Sequence, residues 1–348
     1  MRMKKINKIH PTLDNSIKTV RPKIVDKHDR TFNYLRLAVN EYCNLRCIYC
    51  MPEEGLPFRH KNQLLTTQEI KKILEISAEL GVSKIRFTGG EPLLRKDINE
   101  LIKYAVNLNG INSVNLTTNG ILLNKYLKEF ESTGLSGINI SLDTLKNSRF
   151  KKITRRDTFE QVIENIHLAI QSSIPSIKIN VVAMRDFNDD ELMDFANLTI
   201  DNDITVRFIE LMPFDSHQIW NTGKFYHSKD ILEDLQKRSN KINFIHGSST
   251  EHYAFQFQGA KGKVAVIPSY TRNLCGSCNR IRITADGKLL NCLYSQEGSS
   301  LRDSLRNDGS DEKIKSLILE SFINKHKDGW SAQNNNGDHR ESMSQIGG

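Results

Sequence analysis

The sequence lacks the features of a membrane or secreted protein. It has no apolar run near the roughly 18 residues that a membrane-spanning helix requires. Residues 1–21 are polar and basic and contain no apolar core, so they do not resemble a secretory signal. We therefore expect a cytoplasmic chain whose residues 1–30 form a flexible basic lead.

Cysteine is scarce as well, and it is unevenly placed. The 348 residues contain six cysteines in two groups of three: Cys43, Cys47 and Cys50, then Cys275, Cys278 and Cys292. Pairing within either group would leave one thiol over, so three disulfides fit this pattern poorly. In a cytosolic chain, such clusters indicate metal binding.

The balance of charge is basic, with a formal net charge of +8. It suggests an anionic partner, and nucleic acid, acidic lipid and nucleoside triphosphate are all open on this ground alone. Because Lys and Arg are dispersed along the chain, apart from the extreme N-terminus, the pattern argues against a dedicated nucleic-acid surface. We expect neither a nucleic-acid partner nor a membrane partner.

Strand-like and helix-like segments alternate between residues 33 and 212. Strands are predicted at residues 35–39, 84–88, 113–117, 137–142, 177–183 and 206–210. Helices are predicted at residues 66–80, 97–108, 125–132, 159–171 and 189–198. Such βα repeats imply a parallel sheet with right-handed crossovers, but six strands are too few for a closed eight-stranded barrel. We predict an α/β fold, a partial (βα)6 barrel over residues 31–214 that is open on one side.

The pattern changes after about residue 214. A helix is predicted at residues 229–238, short strands at 242–245, 253–257 and 263–267, a hairpin turn at Asp286-Gly287, and a helix at 311–325. We expect residues 215–326 to form an α+β extension that covers the open side of the barrel. Residues 327–348 are rich in Asn, Ser and Gly, which predicts a flexible tail that ends in Gly-Gly.

The first cysteine group has the spacing C-x3-C-x2-C and follows the first predicted strand, where a partial barrel places its active-site loops. Three thiolates can hold three irons of a [4Fe–4S] cluster and leave the fourth iron open. A structural zinc site needs a fourth ligand, and the nearest downstream candidate, His60, is ten residues away. A zinc site and three buried thiols are the alternatives to the cluster.

The second cysteine group again offers three thiolates, because Cys292 follows Cys278 after thirteen residues. Arg280 and Arg282 lie between them, and their alternation predicts that both point to one face of a strand. Guanidinium groups on one face can bind phosphate oxygens as forks. A solvated basic strand is the alternative.

The first cysteine pattern, with Tyr49 before its last cysteine, resembles the signature of the radical S-adenosylmethionine (SAM) superfamily. The segment Thr88-Gly89-Gly90-Glu91-Pro92 is similar to the part of that superfamily that binds the ammonium group of SAM. Two glycines at this point would let the backbone approach a ligand closely. Thr117-Thr118-Asn119 and Ser141-Leu142-Asp143 end the next two strands, where helix caps are the alternative.

From about Arg30 onward the chain resembles one family, GTP 3′,8-cyclase, which performs the first step of molybdenum cofactor biosynthesis. The similar segments are GGEPLLR at 89–95, KINVV at 178–182, RFIELM at 207–212, the stretch 275–292 and the terminal Ile346-Gly347-Gly348. The resemblance implies a radical SAM barrel closed by an extension that carries a second iron–sulfur cluster.

The resemblance also implies roles for the matching residues. Ligands of the SAM cluster would be Cys43, Cys47 and Cys50, and ligands of a second [4Fe–4S] cluster would be Cys275, Cys278 and Cys292. Contacts to SAM would come from Tyr49, Gly90, Ser141 and Met212. Contacts to GTP would come from Arg36, Arg86, Thr117, Lys178, Arg280 and Arg282, with Arg207 near the same pocket. Gly347 and Gly348 would insert into the catalytic pocket.

The implied activity is a lyase-type cyclisation. SAM cleaved at the reduced first cluster yields a 5′-deoxyadenosyl radical that takes the ribose 3′ hydrogen of GTP. The C3′ radical then bonds to C8, and reduction by one electron with protonation gives 3′,8-cyclo-7,8-dihydro-GTP. The implied partners are an electron donor such as flavodoxin or ferredoxin, a cyclic pyranopterin monophosphate synthase that receives the product, and a second copy in a homodimer. The alternatives are a radical SAM enzyme with an auxiliary cluster that acts on a peptide, and a non-enzymatic zinc- or nucleic-acid-binding protein.

Overall fold

A computed structural model describes residues 23–212, 224–239, 242–247, 253–271, 275–295, 297–307, 309–334 and 342–347. Most of residues 1–30, predicted to be a flexible lead, therefore lie outside this part, as does Gly348. Over the described ranges, no helix is both long and apolar enough to cross a membrane.

The strands form a two-stranded ribbon and one large sheet. They are β1 (Ile24–Val25), β2 (Thr31–Phe32), β3 (Tyr34–Ala38), β4 (Lys84–Thr88), β5 (Ser113–Thr118), β6 (Gly137–Ser141), β7 (Ile177–Ala183), β8 (Ile204–Glu210), β9 (Ile242–Ile245), β10 (Tyr253–Phe257), β11 (Lys263–Ile267), β12 (Arg280–Ile283), β13 (Lys288–Leu290) and β14 (Ser299–Ser300). In the large sheet their order is β14-β13-β12-β3-β4-β5-β6-β7-β8-β11-β10-β9.

The strands from β12 to β11 in this order pair in parallel with one another. Six of them, β3 to β8, are the strands of the predicted partial barrel, which the structure confirms. The other two come from the C-terminal extension, and β12 pairs with β3 while β11 pairs with β8. The extension therefore covers both open edges of the six-stranded run.

Helices lie between the parallel strands β3 to β8, and further helices follow β8 and β14. They are α1 (Thr67–Glu79), α2 (Ile98–Asn107), α3 (Leu127–Thr133), α4 (Asn147–Thr154), α5 (Phe159–Gln171), α6 (Leu192–Asp201), α7 (Ser228–Arg238), α8 (Leu301–Asn307), α9 (Asp311–Ile323), α10 (Gly329–Asn334) and α11 (Met343–Ile346). In α1, Ile70, Ile73 and Leu74 are fully buried at helical spacing. Thr66 and Glu69 form the predicted capping box at its start.

Two parts of the chain are more regular than their sequence predicts. The ribbon of β1 and β2 orders residues 24–32, with Ile24 and Arg30 buried, although we expected a flexible lead there. The stretch expected to be a flexible tail contains α10 and α11. Ala332 and Ile346 from these helices are buried against Leu290 and Tyr294, and this apolar contact holds both short helices on the barrel.

Candidate active site

The inner face of the curved sheet surrounds a cavity of about 330 Å³. Its lining includes Arg36, Arg86, Thr117, Ser141, Tyr49, Gly90, Met212, Arg280, Arg282 and all six cysteines. The structure thus brings both cysteine groups and most of the predicted contact residues to one cavity. Lys178 is not in the lining. It lies two positions before Asn180 on the same face of β7, and Asn180 does line the cavity.

The loop of Cys43, Cys47 and Cys50 is fixed by the backbone of α4. The amides of Arg46 and Ile48 donate to the carbonyls of Thr154 and Ile153, both at 2.9 Å. Helix α4 was not predicted from the sequence. It is mostly polar, and its buried residues are only Phe150 and the last two residues of the helix. This helix therefore determines how the first cysteine loop faces the cavity.

The Gly89-Gly90 pair packs against the chain that leads into this loop. A Cβ atom on Gly90 would lie 2.3 Å from the carbonyl oxygen of Tyr42, and one on Gly89 would lie equally close to that of Asn40. Gly89 also has a φ of 140°, which a side chain would strain. We expected the glycines to admit a ligand, but the close neighbour is the protein's own backbone.

Buried carboxylates tie together the loops at this end of the barrel. Glu91 is fully buried and accepts hydrogen bonds from the Thr118 hydroxyl and the Asn119 amide, both at 2.7 Å. Burial raises the pKa of Glu91 to about 7, although these hydrogen bonds act to lower it. Asp143 accepts from the Tyr49 hydroxyl and the Val182 amide, and burial raises its pKa to about 6.

The second cysteine group lies beside cations. Burial would raise the pKa of Cys278, but Arg280 and Lys325 outweigh it and lower that pKa to about 6. The Lys325 ammonium group donates to the carbonyls of Arg280 and Asn291, next to the other cysteines. Lys325 could not be predicted, since nothing in the sequence distinguishes it from the lysines around it.

Guanidinium groups stand side by side across three parallel strands. Arg36 on β3 is in register with Arg282 on β12 and with Arg86 on β4. Burial lowers the pKa of Arg36 to about 10 and that of Arg282 well below its usual range, and neighbouring arginines add to both effects. Crowded, buried cations of this kind are stabilised when an anion binds among them.

Two further observations suit an anion at this position. The Nε atom of Arg86 is buried without a hydrogen-bond partner among the described residues. The ring of Tyr34, one row below, lies within 6 Å of the charged groups of Arg36, Lys84 and Arg86. Tyr34 and Lys84 were not predicted, because their position below the arginines follows only from the strand register.

The C-terminal segment reaches both cysteine groups. The Ser342 hydroxyl donates to the carbonyl of Cys50, and Ser344 lines the cavity. The carbonyl of Gly347 accepts from Arg282 at 3.1 Å. Gly347 has a φ of 76° and would place a Cβ 3.0 Å from that of Ala38, so glycine suits this position.

All six cysteines are described, and none forms a disulfide. Each group offers three thiols, which is the donor set of a [4Fe–4S] cluster with one open iron. N–H groups of Asn119 and Gly329 point at the sulfurs of Cys43 and Cys275, as is common for cluster ligands.

Comparisons with known proteins agree with the fold and the cavity. The Radical SAM superfamily matches residues 37–199, and Molybdenum Cofactor Synthesis C matches residues 204–330. The structure is similar to Streptococcus suis SuiB bound to S-adenosylmethionine, with a TM-score of 0.55 and 16% identity over 83% of this chain and 69% of that one. At this identity the likeness shows the fold alone. Fold and sequence together define a radical SAM protein.

Two sequence relatives show which family within that class the chain belongs to. A GTP 3′,8-cyclase from Chlorobaculum tepidum is 43% identical over 93% of this chain and 97% of its own length. Molybdenum cofactor biosynthesis protein 1 of Drosophila melanogaster is 43% identical over 87% of this chain, which spans 54% of that longer protein. The chain belongs to the GTP 3′,8-cyclase family, and this confirms the resemblance seen in the sequence.

Proposed function

We propose that this protein is a lyase-type GTP 3′,8-cyclase that converts GTP to 3′,8-cyclo-7,8-dihydro-GTP in molybdenum cofactor biosynthesis. The proposal rests on one cavity that both groups of three thiols line. Adjacent guanidinium groups on strands β12, β3 and β4 line the same cavity. The names of the relatives supply the substrate class. A peptide substrate would not require the crowded cations.

Cys43, Cys47 and Cys50 would hold a [4Fe–4S] cluster, with SAM at its open iron. When bound, this pair supplies the organic radical that takes the 3′ hydrogen of the ribose. The Tyr49–Asp143 hydrogen bond and the Gly89-Gly90 contacts fix the loops around that position. Tyr49, Gly90, Ser141 and Met212 line the cavity where SAM contacts are expected.

Cys275, Cys278 and Cys292 would hold a second [4Fe–4S] cluster, which would bind the guanine of GTP. A triphosphate carries close to four negative charges, and several fixed cations are needed to hold it away from water. Arg36, Arg86, Arg280 and Arg282 line the cavity and can supply them. Thr117 lines the same cavity, and Lys178 lies deeper on the β7 face.

The remaining parts of the proposal concern partners. The reaction needs a one-electron donor such as flavodoxin or ferredoxin, and its product needs a cyclic pyranopterin monophosphate synthase. Gly347 and Gly348 would complete the cavity from the C-terminal side. The contacts of Ser342 with Cys50 and of Gly347 with Arg282 support that role.

The test is an anaerobic incubation of the reconstituted protein with GTP, SAM and a strong reductant, read by liquid chromatography with mass spectrometry, which separates the cyclised nucleotide from GTP of equal mass. We expect about eight irons per chain, 5′-deoxyadenosine and a cyclised nucleotide with the mass of GTP. Stoichiometric zinc without sulfide in freshly isolated protein would contradict the proposal. So would SAM cleavage that never yields the cyclised nucleotide in the wild-type protein.

A further inference from the structure

Arg30 and Asp26 form a buried ion pair in the ribbon that precedes the barrel. Their side chains are 3% and 0% exposed, and the guanidinium group meets the Asp26 carboxylate at 2.5 and 2.7 Å. The amides of His28 and Arg30 also donate to Asp26, each at 2.9 Å. The pair is therefore held rigidly, and the direction of the guanidinium group is fixed.

The other donors of Arg30 reach distant parts of the chain. They contact the carbonyls of Cys275 at 3.1 Å, His326 at 2.7 Å and Lys327 at 2.8 Å. With the two contacts to Asp26, this uses all five N–H donors that an arginine has. One planar group thus joins the N-terminal ribbon, the first cysteine of the second group and the segment after α9.

That segment, residues 325–329, contacts the surroundings of all three cysteines. Lys325 donates to the carbonyls of Arg280 and Asn291, which lie two residues and one residue from Cys278 and Cys292. The Gly329 amide donates to the Cys275 sulfur at 3.4 Å. The Phe32 ring in β2 stacks on Phe322 of α9 with 4.6 Å between centroids, which holds the ribbon against this segment.

We propose that Arg30 is a positioning residue for the second cluster, which fixes Cys275 relative to Cys278 and Cys292. It acts through backbone carbonyls and does not touch the cluster or the substrate. The inference rests on the proposed function, because it assumes that these three cysteines hold a cluster. Lysine cannot replace arginine here, since its single ammonium group cannot span Asp26 and three carbonyls at once.

The test uses Arg30→Lys in a variant with Cys43, Cys47 and Cys50 all changed to Ala, so that only the second cluster contributes iron. Arg306→Lys is the matched control, because Arg306 binds Glu69 and the carbonyls of Asn62 and Leu64 away from both cysteine groups. Iron release to a chelator and the electron paramagnetic resonance (EPR) spectrum of the reduced cluster are measured anaerobically. A melting curve of each protein monitors the fold.

We expect Arg30→Lys to release iron at least about tenfold faster and to shift the EPR spectrum, the scale usual for residues behind metal ligands. Arg306→Lys should do neither. In the otherwise unchanged chain, Arg30→Lys should still cleave SAM. If Arg30→Lys melts early, Asp26→Asn/Arg30→Gln, which buries no charge, should lose iron in the same way.

Unchanged iron release and an unchanged spectrum in folded Arg30→Lys would overturn the inference, and so would an equal loss in Arg306→Lys. A background variant that binds no iron at all, with Arg30 intact, contradicts the proposed function instead. The two failures are therefore distinguishable in one experiment.

Discussion

The two cysteine groups each offer three thiols to one cavity, but a carboxylate lies near the first group and cations lie near the second. At the first group, burial raises the pKa of Cys43 to about 12, and the carboxylate of Glu91 adds to the effect. At the second group, Arg280 and Lys325 overcome the effect of burial and lower the pKa of Cys278 to about 6.

The charged residues at the two ends of the cavity also differ in what they contact. Around the first group, Glu91 and Asp143 accept hydrogen bonds from Thr118, Asn119 and Val182, and these hydrogen bonds hold the strand ends in place. Around the second group, neighbouring arginines help to lower the pKa of Arg36 and of Arg282. The hydrogen bonds at the first end of the cavity thus hold these strand ends in place, and the cations at the second end support the proposed binding of a triphosphate there.

Removing a ligand of the first group should have the largest effect. In Cys50→Ala, we expect about half of the iron to be lost and SAM cleavage to be abolished, because a cluster held by two thiolates does not persist. Iron analysis and 5′-deoxyadenosine assays measure both. Ser342→Ala removes the hydroxyl beside Cys50 but keeps the thiol, and it should retain the cluster. SAM cleavage at the wild-type rate in Cys50→Ala would refute the assignment.

The equivalent change in the second group should separate cleavage from cyclisation. Cys292→Ala should abolish formation of the cyclised nucleotide and leave some 5′-deoxyadenosine formation under strong reductant, because SAM binds at the other end. Both products are quantified by mass spectrometry of one reaction. Normal cyclisation in this variant would show that the second group does not serve the substrate.

The buried carboxylate at the first end predicts a pH dependence of stability. The pKa of Glu91 is raised from 4.5 to about 7, so the folded state holds a proton that the unfolded state releases. Its contribution to stability is full below pH 4.5 and is lost as pH rises through about 7. The loss is about 3 kcal/mol, more than a hundredfold in the unfolding equilibrium.

Chemical denaturation of the cluster-free protein between pH 5 and 8 measures this term, with Glu91→Gln as the comparison. The wild-type free energy of unfolding should fall more steeply with pH than that of the variant. Parallel curves would mean that Glu91 does not carry the dependence.

At the cationic end, Arg280→Ala should weaken GTP binding by about ten- to a hundredfold, because one charge-assisted hydrogen bond contributes about 1.5–3 kcal/mol. Guanosine, which has no phosphates, should bind nearly as before. Calorimetry with both ligands measures the difference, and Arg238→Ala on the exposed end of α7 is the control. Equal losses for GTP and guanosine would indicate a role in folding.

The smallest effect is expected from the segment that links the two ends. Deleting Gly347 and Gly348 removes the carbonyl that Arg282 contacts and leaves Ser342 at Cys50. Both clusters and the melting temperature should be nearly unchanged, while cyclisation should fall at least about tenfold, or roughly 1.4 kcal/mol of barrier. A synthetic tail peptide should restore part of the activity. Full activity without the two residues would make the end dispensable.

The barrel was predictable because its signals are local and repeated. Alternating periodicity located all six strands from β3 to β8, and the Thr66 capping box located the start of α1. The resemblance to the family then named Arg36, Thr117 and Ser141 as contacts, and all three line the cavity. Helix α4 escaped detection since its polar sequence buries only one edge.

Features that depend on distant contacts could not be predicted. The pairing of β11 and β12 with β8 and β3 has no local signature, and neither has the burial of Lys325. The low-complexity tail predicts irregular structure, but Ala332 and Ile346 find apolar partners on a hairpin far away in the sequence. The composition of a segment indicates which structure it forms on its own. In this tail, contacts with distant residues determine the structure.

The way the extension pairs with both edges has a consequence for synthesis of the chain. Until β11 and β12 leave the ribosome, β3 and β8 are unpaired edge strands, and such edges invite association with other chains. At about 5–20 residues per second, that interval lasts several seconds. A nascent chain paused between β8 and β11 would therefore expose both edges, whereas one extended past β12 could pair them.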